Sequence, residues 1–295
     1  MGEATLLVDG LTLTEGLRWH EGRVWFSDLY NRRVASVLED GSDLRVEGEF
    51  PHIPVGLGWL PDGRLLVIQQ ESQKVLRREP GGEFVVHADL SGLAEAWLND
   101  IVVTPDGTAY VGCFGFDLHH GAPFAAAPIM RVTAEGQASI VGEPAHFPNG
   151  CTILNGTYVV AESFGNRISQ YDIEADGSLS NRRDWAAFGR LPQASDLDER
   201  YKELEVAPDG ISGVDAEGAI WVADFTQRHA VRVLPGGKIV DRVTTGELNC
   251  YCVALGGHDG RTLFLCATPA EMDPDLRKNE PRGTIMSCRV DVPLA

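Results

Sequence analysis

One short pattern occurs six times along the sequence, and this repetition constrains the fold more than any other feature. Each copy has a short apolar strand, a turn that contains glycine with an acidic residue or asparagine, and a second apolar strand. The copies cover residues 14–28, 55–68, 99–112, 149–161, 208–224 and 251–265. A third strand, another turn and a fourth strand follow. Four strands in each of six repeats predict an all-β fold, the six-bladed β-propeller.

The residue at the start of each first strand, here called the entrance residue, sets the spacing of the repeats. The six entrance residues are Glu15, Val55, Asn99, Asn149, Asp209 and Tyr251. They lie 40, 44, 50, 60 and 42 residues apart, and since a blade needs about 40 residues, the excess measures inserted loop. One insertion covers residues 114–124. The other covers residues 185–206, where the stretch 196–204 predicts a short helix with a charged, solvated face.

Both ends of the chain carry a strand that belongs to no complete repeat. Thr5–Val8 precedes the first repeat, and Gly283–Val290 follows the last one. Pairing these strands in one blade closes the ring and removes exposed sheet edges. No change of composition marks a linker, so we expect residues 1–295 to form a single β-propeller domain.

The charge balance excludes two classes of partner. The chain has 25 basic and 43 acidic residues, a formal net charge of −18. Nucleic acids and anionic membrane surfaces both require a basic footprint, so neither is expected to bind. No apolar run is long enough to span a bilayer, and the first residues lack a secretory pattern, so a cytoplasmic protein is predicted. The oligomeric state is left open.

The cysteines favour packing over metal binding. Six of them are scattered over the repeats, mostly inside apolar strands: Cys113, Cys151, Cys250, Cys252, Cys266 and Cys288. Free thiols that pack as small apolar groups explain this distribution. The Cys-x-Cys pair at 250 and 252 lacks the second ligand pair of a structural zinc site.

Four entrance residues carry side-chain oxygens, and their common position in the repeat is the functional signal. Glu15, Asn99, Asn149 and Asp209 would converge on one point if the repeats are equivalent in space. Two converging carboxylates repel each other unless a cation lies between them. Together with two amide carbonyls they form an all-oxygen set that suits a hard divalent ion. Ca²⁺, which takes roughly six to eight oxygen ligands, is the first candidate. Zn²⁺, Mn²⁺ and Mg²⁺ also remain open.

Turn formation is the competing explanation for these residues, because Asp-Gly and Asn-Gly are standard turn pairs. Asp62 and Asp106 follow an apolar strand, where a hairpin turn belongs. Asp209 instead precedes one, and its repeat turns later, at 215–218. Likewise, the repeat of Asn149 turns at Asn155. The hairpins therefore do not need Asp209 or Asn149, which favours the metal site.

Several stretches resemble the family of six-bladed propellers that contains senescence marker protein (regucalcin), gluconolactonase and luciferin-regenerating enzyme. The resemblance covers nearly the whole chain and rests on residues 14–19, 98–100, 147–150, 208–223 and 254–264. It implies a divalent cation held by Glu15, Asn149 and Asp209, with Asn99 as fourth ligand or substrate contact. It also implies lactone hydrolysis, with Asp209 as general base or nucleophile and the metal as Lewis acid.

One position departs from the family. In sugar-lactone members of animal origin an arginine stands two residues before the asparagine of the third repeat, and here that residue is Trp97. An aromatic wall in place of a polar donor indicates a less polar or differently shaped lactone. His119 and His120 are predicted at the mouth of the channel, as proton carriers or as exposed loop residues.

Two further aromatic residues complete the predicted site. Phe114 and Tyr251 are predicted to line the substrate pocket, although core packing explains both of them equally well. The resulting prediction is a metal-dependent hydrolase that opens a lactone or related cyclic ester at the central channel. Two alternatives stay open: an organophosphate or phosphotriester hydrolase that uses the same metal, and a non-enzymatic propeller that binds calcium.

Overall fold

The repeated pattern folds into six sheets in the computed structural model, which describes residues 2–271 and 273–295. The chain begins with β1 (Gly2–Glu3) and β2 (Thr5–Leu11). Blade one contains β3 (Thr14–His20), β4 (Arg23–Asp28), β5 (Arg33–Leu38) and β6 (Arg45–Glu49). Blade two contains β7 (Pro54–Trp59), β8 (Leu65–Gln69), β9 (Lys74–Arg78) and β10 (Phe84–Asp89).

The next two blades have the same order and carry the two insertions. Blade three contains β11 (Leu98–Val103), β12 (Ala109–Cys113), β13 (Ala127–Val132) and β14 (Ala138–Ala145), with a 3-10 helix at Leu118–His120 in its loop. Blade four contains β15 (Pro148–Leu154), β16 (Thr157–Glu162), β17 (Arg167–Ile173) and β18 (Leu179–Ala187). Helix α1 (Leu197–Lys202) follows it, and its position agrees with the helix predicted for this insertion.

The last two blades use both ends of the chain. Blade five contains β19 (Pro208–Val214), β20 (Ile220–Asp224), β21 (His229–Val233) and β22 (Ile239–Thr244). Blade six contains β23 (Asn249–Gly256), β24 (Thr262–Thr268) and β25 (Gly283–Arg289), with α2 (Pro274–Asn279) before β25. Its fourth strand is β2, which pairs antiparallel with β25. The pairing predicted for the two terminal strands is therefore confirmed, and so is the six-bladed β-propeller.

Two elements were not expected from the sequence. Strand β1 pairs in parallel with β22, through Gly2 opposite Val243, so blade five has five strands. Helix α2 begins after Asp273, whose side chain accepts a hydrogen bond from the backbone N–H of Leu276. This is a standard N-cap, and Pro274 at the first helical position supports it.

The chain divides into two compact units of three blades each. Met1–Pro54 and Ala207–Ala295 form the first unit, with blades one, five and six. Val55–Val206 forms the second unit, with blades two, three and four. Within residues 2–271 and 273–295, no helix has the length and apolar character needed to cross a membrane.

Burial explains why the second strand of each blade has no alternating pattern. Strands β8, β12, β20 and β24 are buried at every position. Such a strand has apolar neighbours on both faces, so it reads as a continuous apolar run. The outer strand β22 is exposed at four of its six positions. Five cysteines are buried and Cys288 is half-buried, all as free thiols, which agrees with the packing interpretation.

Strand pairing places the insertions at the same end of their sheets as the entrance residues. Pro148 at the start of β15 pairs with Glu162 at the end of β16. The equivalent pairs in blades three and five are Leu98 with Cys113 and Pro208 with Asp224. Connections that leave a second strand or enter a first strand therefore lie at this end of the blade. Both insertions are connections of this kind.

Candidate functional site

A β-bulge interrupts the first strand of five blades at the entrance residue. The register shifts fall between Glu15 and Arg18, Leu98 and Ile101, Pro148 and Cys151, Pro208 and Ile211, and Cys250 and Cys252. A bulge turns a side chain away from the regular alternation of the strand, and such bulges are frequent beside active sites. The shared repeat position thus has a shared backbone irregularity, which the sequence pattern alone did not show.

Glycines next to the entrance residues permit these bulges. Gly16 follows Glu15 and has a φ of 61°, in the left-handed region that favours glycine. Gly210 follows Asp209 and packs against β23, where an added Cβ would collide with the Sγ and backbone of Cys252. The glycine after the acidic residue is therefore needed for close packing of neighbouring strands, and it does not form a hairpin turn.

The two predicted carboxylates lie near each other in the first unit. Glu15 on β3 and Asp209 on β19 belong to strands that contact each other and both contact β23. Burial raises the pKa of the Cys250 thiol on β23 well above its ordinary value, and the charges of Cys252, Asp209 and Glu15 add to the effect. The Cys250 thiol therefore lies within electrostatic range of both carboxylates. Asp209 is itself only 5% exposed.

The two predicted amides lie on neighbouring strands of the second unit, β11 and β15, which are in contact. Nδ2 of Asn99 donates to the carbonyl oxygen of Pro148 at 3.2 Å. Nδ2 of Asn149 donates to Oγ of Ser163 at 3.2 Å. Both side chains are buried. Because each nitrogen is bound, and no donor among the described residues bonds either amide oxygen, the oxygens are available to a ligand.

The oxygen donors within each unit are of the kind that a hard divalent cation prefers. The first unit holds the carboxylates of Glu15 and Asp209, the second unit holds the amide oxygens of Asn99 and Asn149, and oxygen ligands are what calcium and magnesium prefer. In the described residues no group of three or more His, Cys, Asp or Glu is suited to a metal ion.

Acidic residues at the ends of second strands hold the segments that lead into the entrance residues, and the sequence analysis missed them. Asp28 accepts a hydrogen bond from the backbone N–H of Thr12 at 2.9 Å. Glu162 accepts one from His146 at 2.7 Å, and Asp224 accepts one from Ala207 at 3.4 Å. The signal was present in the sequence, because each of these three second strands ends in an acidic residue.

The surroundings of these acidic residues set their charge states. Burial alone would raise the pKa of Glu162, but hydrogen bonds and charge from Arg167, with a bond from Ser169, lower it below its ordinary value. Arg182 adds a second ion pair at 3.1 Å. Burial raises the pKa of Asp224, which has hydrogen bonds from Thr226 and no arginine at ion-pair distance within the described residues.

Three of the predicted substrate contacts meet in the second unit. The rings of Trp97 and His119 lie 4.1 Å apart between centroids, and Phe114 lies 6.3 Å from Trp97. Desolvation lowers the pKa of His119. His120 points away from this group, because its side chain is 83% exposed and contacts Asp117 at 2.8 Å. Its role as a site residue stays a prediction.

Tyr251 lies in the first unit, in an apolar cluster. It is 4% exposed and packs with Leu13 and Leu29, with Tyr30 and Phe225 at the edge of the cluster. This position agrees with the core-packing explanation given above. A contact between Tyr251 and substrate stays a prediction.

Comparison with known proteins identifies the family. The family model described as "SMP-30/Gluconolactonase/LRE-like region" matches residues 13–268. The matched stretch includes all six entrance residues and both insertions. The match covers well over half of the chain, and it agrees with the resemblance seen in the sequence motifs.

Individual relatives are distant in sequence. An L-arabinolactonase of Azospirillum brasilense is 25% identical over 296 residues, which cover 96% of this chain and 90% of that protein. A 6-deoxy-6-sulfogluconolactonase of Pseudomonas putida is 24% identical over 168 residues, 56% of this chain, and the chain spans only 53% of that relative. A crystal structure of a calcium-binding protein, regucalcin, from Agrobacterium tumefaciens has a TM-score of 0.76 at 20% identity and covers 100% of this chain and 95% of its own.

Proposed function

Because the chain belongs to the SMP-30/gluconolactonase/LRE-like family, we propose that it is a hydrolase that opens a lactone ring. The observation that supports this most directly is the set of polar entrance residues at bulged positions of the first strands. Relatives named as an arabinolactonase and a sulfogluconolactonase support the same reaction class. The substrate is accordingly a small cyclic ester, with the particular lactone to be found by assay.

The cofactor of this proposal is one divalent cation, with Ca²⁺ as the first candidate. Glu15, Asn149 and Asp209 would hold it, and Asn99 would be a fourth ligand or a substrate contact. All four occupy the same position of their repeats, and this common position is the basis for assigning them to one ion. When bound, such a cation supplies Lewis-acid polarisation of the ester carbonyl.

Asp209 would act on the attacking water. Its carboxylate oxygen accepts a proton from the water molecule as the water oxygen bonds to the carbonyl carbon of the lactone. The ring C–O bond then breaks, and the proton passes to the departing ring oxygen, so a hydroxy acid leaves. Burial of Asp209 suits this role, because a buried base keeps a fixed orientation and is shielded from bulk water. In the alternative mechanism, Asp209 is the nucleophile and its carboxylate oxygen attacks the carbonyl carbon of the lactone directly.

The amide groups would be held in place for their ligands, the cation at Asn149 and the cation or the ester at Asn99. The bonds from Asn99 to Pro148 and from Asn149 to Ser163 fix the amide planes, so neither oxygen needs to reorient when a ligand binds. Preorganised dipoles of this kind reduce the reorganisation that accompanies the reaction. The hydroxyl oxygen of Ser163 accepts the hydrogen bond from the Asn149 amide, so we assign Ser163 a positioning role.

A lactone panel with controlled metal content tests the proposal. The purified protein is stripped with a chelator and assayed on γ- and δ-lactones, and Ca²⁺, Mg²⁺, Mn²⁺ and Zn²⁺ are then added back singly. We expect turnover to be lost on chelation and restored by at least one of the four ions. Full activity of the stripped protein would overturn the metal assignment, and absence of turnover with every ion would overturn lactone hydrolysis.

The same preparations distinguish phosphotriester hydrolysis. A triester such as a dialkyl nitrophenyl phosphate is assayed in parallel with the lactones. We expect kcat/KM for the best lactone to exceed that for the triester. A higher kcat/KM for the triester would assign the protein to phosphotriester hydrolysis and would leave the metal assignment unchanged.

A further inference from the structure

Aromatic rings from the third and fourth blades form one continuous surface beside the buried amides. The Trp97 and His119 rings lie 4.1 Å apart between centroids with their planes tilted by 40°, and Phe114 lies 6.1 Å from His119. Phe114 also stacks on Phe147 at 4.5 Å. These four rings, called here the aromatic wall, come from three separate segments of the second unit.

The wall is joined directly to the strands that carry Asn99 and Asn149. Trp97 stands two residues before Asn99, and its carbonyl oxygen accepts a hydrogen bond from the backbone N–H of Phe114 at 2.9 Å. Phe147 stands two residues before Asn149, and its carbonyl oxygen accepts one from Ser163 at 3.2 Å. The wall therefore flanks both amides of the candidate site.

The backbone at Phe147 is strained. Its φ is 66°, in the left-handed region that bulky side chains rarely adopt. Such conformations persist where the surroundings fix them, and they cluster at functional sites. Here the stacked ring of Phe114 and the hydrogen bond from the backbone N–H of Ser163 hold Phe147 in this conformation. The position of the Phe147 ring is therefore fixed by its surroundings.

Arg200 of helix α1 fixes the fourth-blade insertion against the segments that flank Phe147. Its side chain donates to the carbonyl oxygen of Phe164 at 2.9 Å and to that of Ala194 at 2.7 Å. Nη2 also contacts Nδ1 of His146 at 2.8 Å, and the guanidinium lies 3.5 Å from the ring centroid of Phe124. Burial lowers the pKa of His146 to about 4, so the ring is neutral and Nδ1 can accept this bond.

This arrangement gives the wall a rigid base and an accessible face. Phe114 and Phe147 are 8% and 5% exposed, and they form the base. Trp97 is half-buried and His119 is exposed, so these two rings are the ones that a ligand can reach. Desolvation keeps the pKa of His119 below its ordinary value, which favours the uncharged ring.

Uncharged ring faces recognise apolar groups by area and shape, whereas hydroxyl groups need matched donors and acceptors. A site built to bind a polyhydroxylated ring rejects analogues without hydroxyls, because its polar groups would be left unpaired. The accessible face of the wall has the opposite chemistry. Burial of methylene or aryl surface against this face makes the free energy of binding more favourable, whereas desolvation of hydroxyl groups makes it less favourable.

We propose that the substrate is a lactone with an alkyl or aryl substituent, which packs on Trp97 and His119 while the ester group lies at Asn99. This inference rests on the proposed lactone hydrolysis and narrows its substrate class. It makes Trp97 and His119 specificity-determining residues. It gives Arg200 a positioning role, because the guanidinium contacts the insertion and the segments around Phe147.

The test compares lactones that differ only in the substituent. The series is γ-lactones with methyl, butyl and hexyl groups, together with a polyhydroxylated aldonolactone. For the wild type we expect kcat/KM to be at least about tenfold higher for hexyl than for methyl, and higher for hexyl than for the aldonolactone. Trp97→Ala and His119→Ala should each reduce the hexyl-to-methyl ratio several-fold, and Trp97→Phe should retain most of it.

Trp59→Ala is the matched control. Trp59 is another half-buried tryptophan of the second unit, at the far end of β7 from the entrance. Its removal should leave the hexyl-to-methyl ratio unchanged. Thermal unfolding of each variant shows whether the chain has folded, and Trp97→Phe provides the comparison if Trp97→Ala is unstable. A ratio that is unchanged in the Trp97 and His119 variants would overturn the inference.

Binding of the matching lactams, which resist hydrolysis, separates this inference from the proposed function. Calorimetry should give tighter binding for the hexyl lactam than for the methyl lactam, with the difference reduced in Trp97→Ala. Lactam preference without any lactone turnover would overturn the hydrolase proposal alone. Lactone turnover with a preference for the aldonolactone would overturn the apolar substrate alone, and absence of both turnover and binding would overturn both.

Discussion

The tripeptide Pro-Asp-Gly occurs in the third and fifth blades with opposite structural outcomes. At Pro105-Asp106-Gly107 it forms the turn between β11 and β12, and Oδ1 of Asp106 accepts a hydrogen bond from the backbone N–H of Thr108 at 3.0 Å. Asp106 is exposed, and Gly107 has a φ of 88°. At Pro208-Asp209-Gly210 the same letters begin β19, and Asp209 is 5% exposed inside a bulge.

The difference teaches that phase within the repeat decides the role of the residue. Asp106 stabilises the turn in which it lies, since its carboxylate accepts hydrogen bonds from the Thr104 hydroxyl and the Thr108 backbone N–H, each two residues away. Asp209 lies at the other end of its strand, where three first strands meet. The dipeptide Asn-Gly repeats this contrast in the fourth blade, with Asn149 in β15 and Asn155 in the hairpin at a φ of 49°.

The largest expected effect tests the two aspartates directly. Asp209→Asn should lower kcat by about 10²–10⁴-fold, because the amide cannot accept a proton from water. Asp106→Asn should leave kcat within about twofold, since a turn residue touches no reacting atom. Lactone assays under identical metal conditions give both values. Equal losses in the two variants would show that the contrast is structural only.

The second largest effect concerns Asn149 and Asn155. Substitution of the first should change cation affinity, and substitution of the second should change the free energy of unfolding. Asn149→Ala removes a proposed ligand, so calorimetric titration should show cation affinity reduced at least about tenfold. Asn155→Ala should leave this affinity unchanged. It should instead lower the free energy of unfolding by about 1 kcal/mol, because alanine tolerates the left-handed region less well than asparagine. Unaltered cation affinity in Asn149→Ala would remove this residue from the ligand set.

The smallest effect concerns stability against pH at the turn aspartate. The hydrogen bond from Thr104 lowers the pKa of Asp106 below its ordinary value of 3.8. The unfolded chain therefore binds more protons just below about pH 5, and the contribution of Asp106 is lost as pH falls through its folded pKa.

Urea unfolding of Asp106→Asn and of the wild type measures this contribution. Because the carboxylate is exposed, we expect a loss of less than about 1 kcal/mol at pH 7. The difference between the two proteins should shrink as the pH approaches 3. A constant difference across this range would show that the turn does not depend on the charge of Asp106.

Periodicity was sufficient to predict most of the fold. The recurring glycine turns gave the number of blades, and the unmatched stretches Thr5–Val8 and Gly283–Val290 correctly predicted a blade made from both ends. Strand β1 escaped notice because two residues have no periodicity, and its partner Val243 lies 241 positions away. Helix α2 escaped because its six residues are too few to show a helical apolar period.

Tertiary contacts account for what the sequence could not show around the site. The sequence analysis predicted a short helix with a charged, solvated face within residues 196–204, and Asp198, Glu199 and Lys202 are exposed on it. It did not predict that Arg200 of the same helix is only 2% exposed. Its partners His146 and Phe164 lie 54 and 36 residues away in the chain. No local pattern distinguishes an arginine held by carbonyl oxygens and an aromatic ring from one that faces water.

The pairing of β2 with β25 has a consequence for how the chain is made. Thr5 lies opposite Ser287, 282 residues later, so the ribosome must add the whole stretch between them before this partner exists. During that interval β2 has open backbone groups along an edge, with Leu6 as an apolar side chain that is still 57% exposed in the finished protein. Long-range pairing of this kind is slow, and an open edge recruits other chains. Biogenesis therefore exposes strand β2 to aggregation until β25 has been synthesised, and a chaperone that shields β2 would act where the nascent chain is most vulnerable.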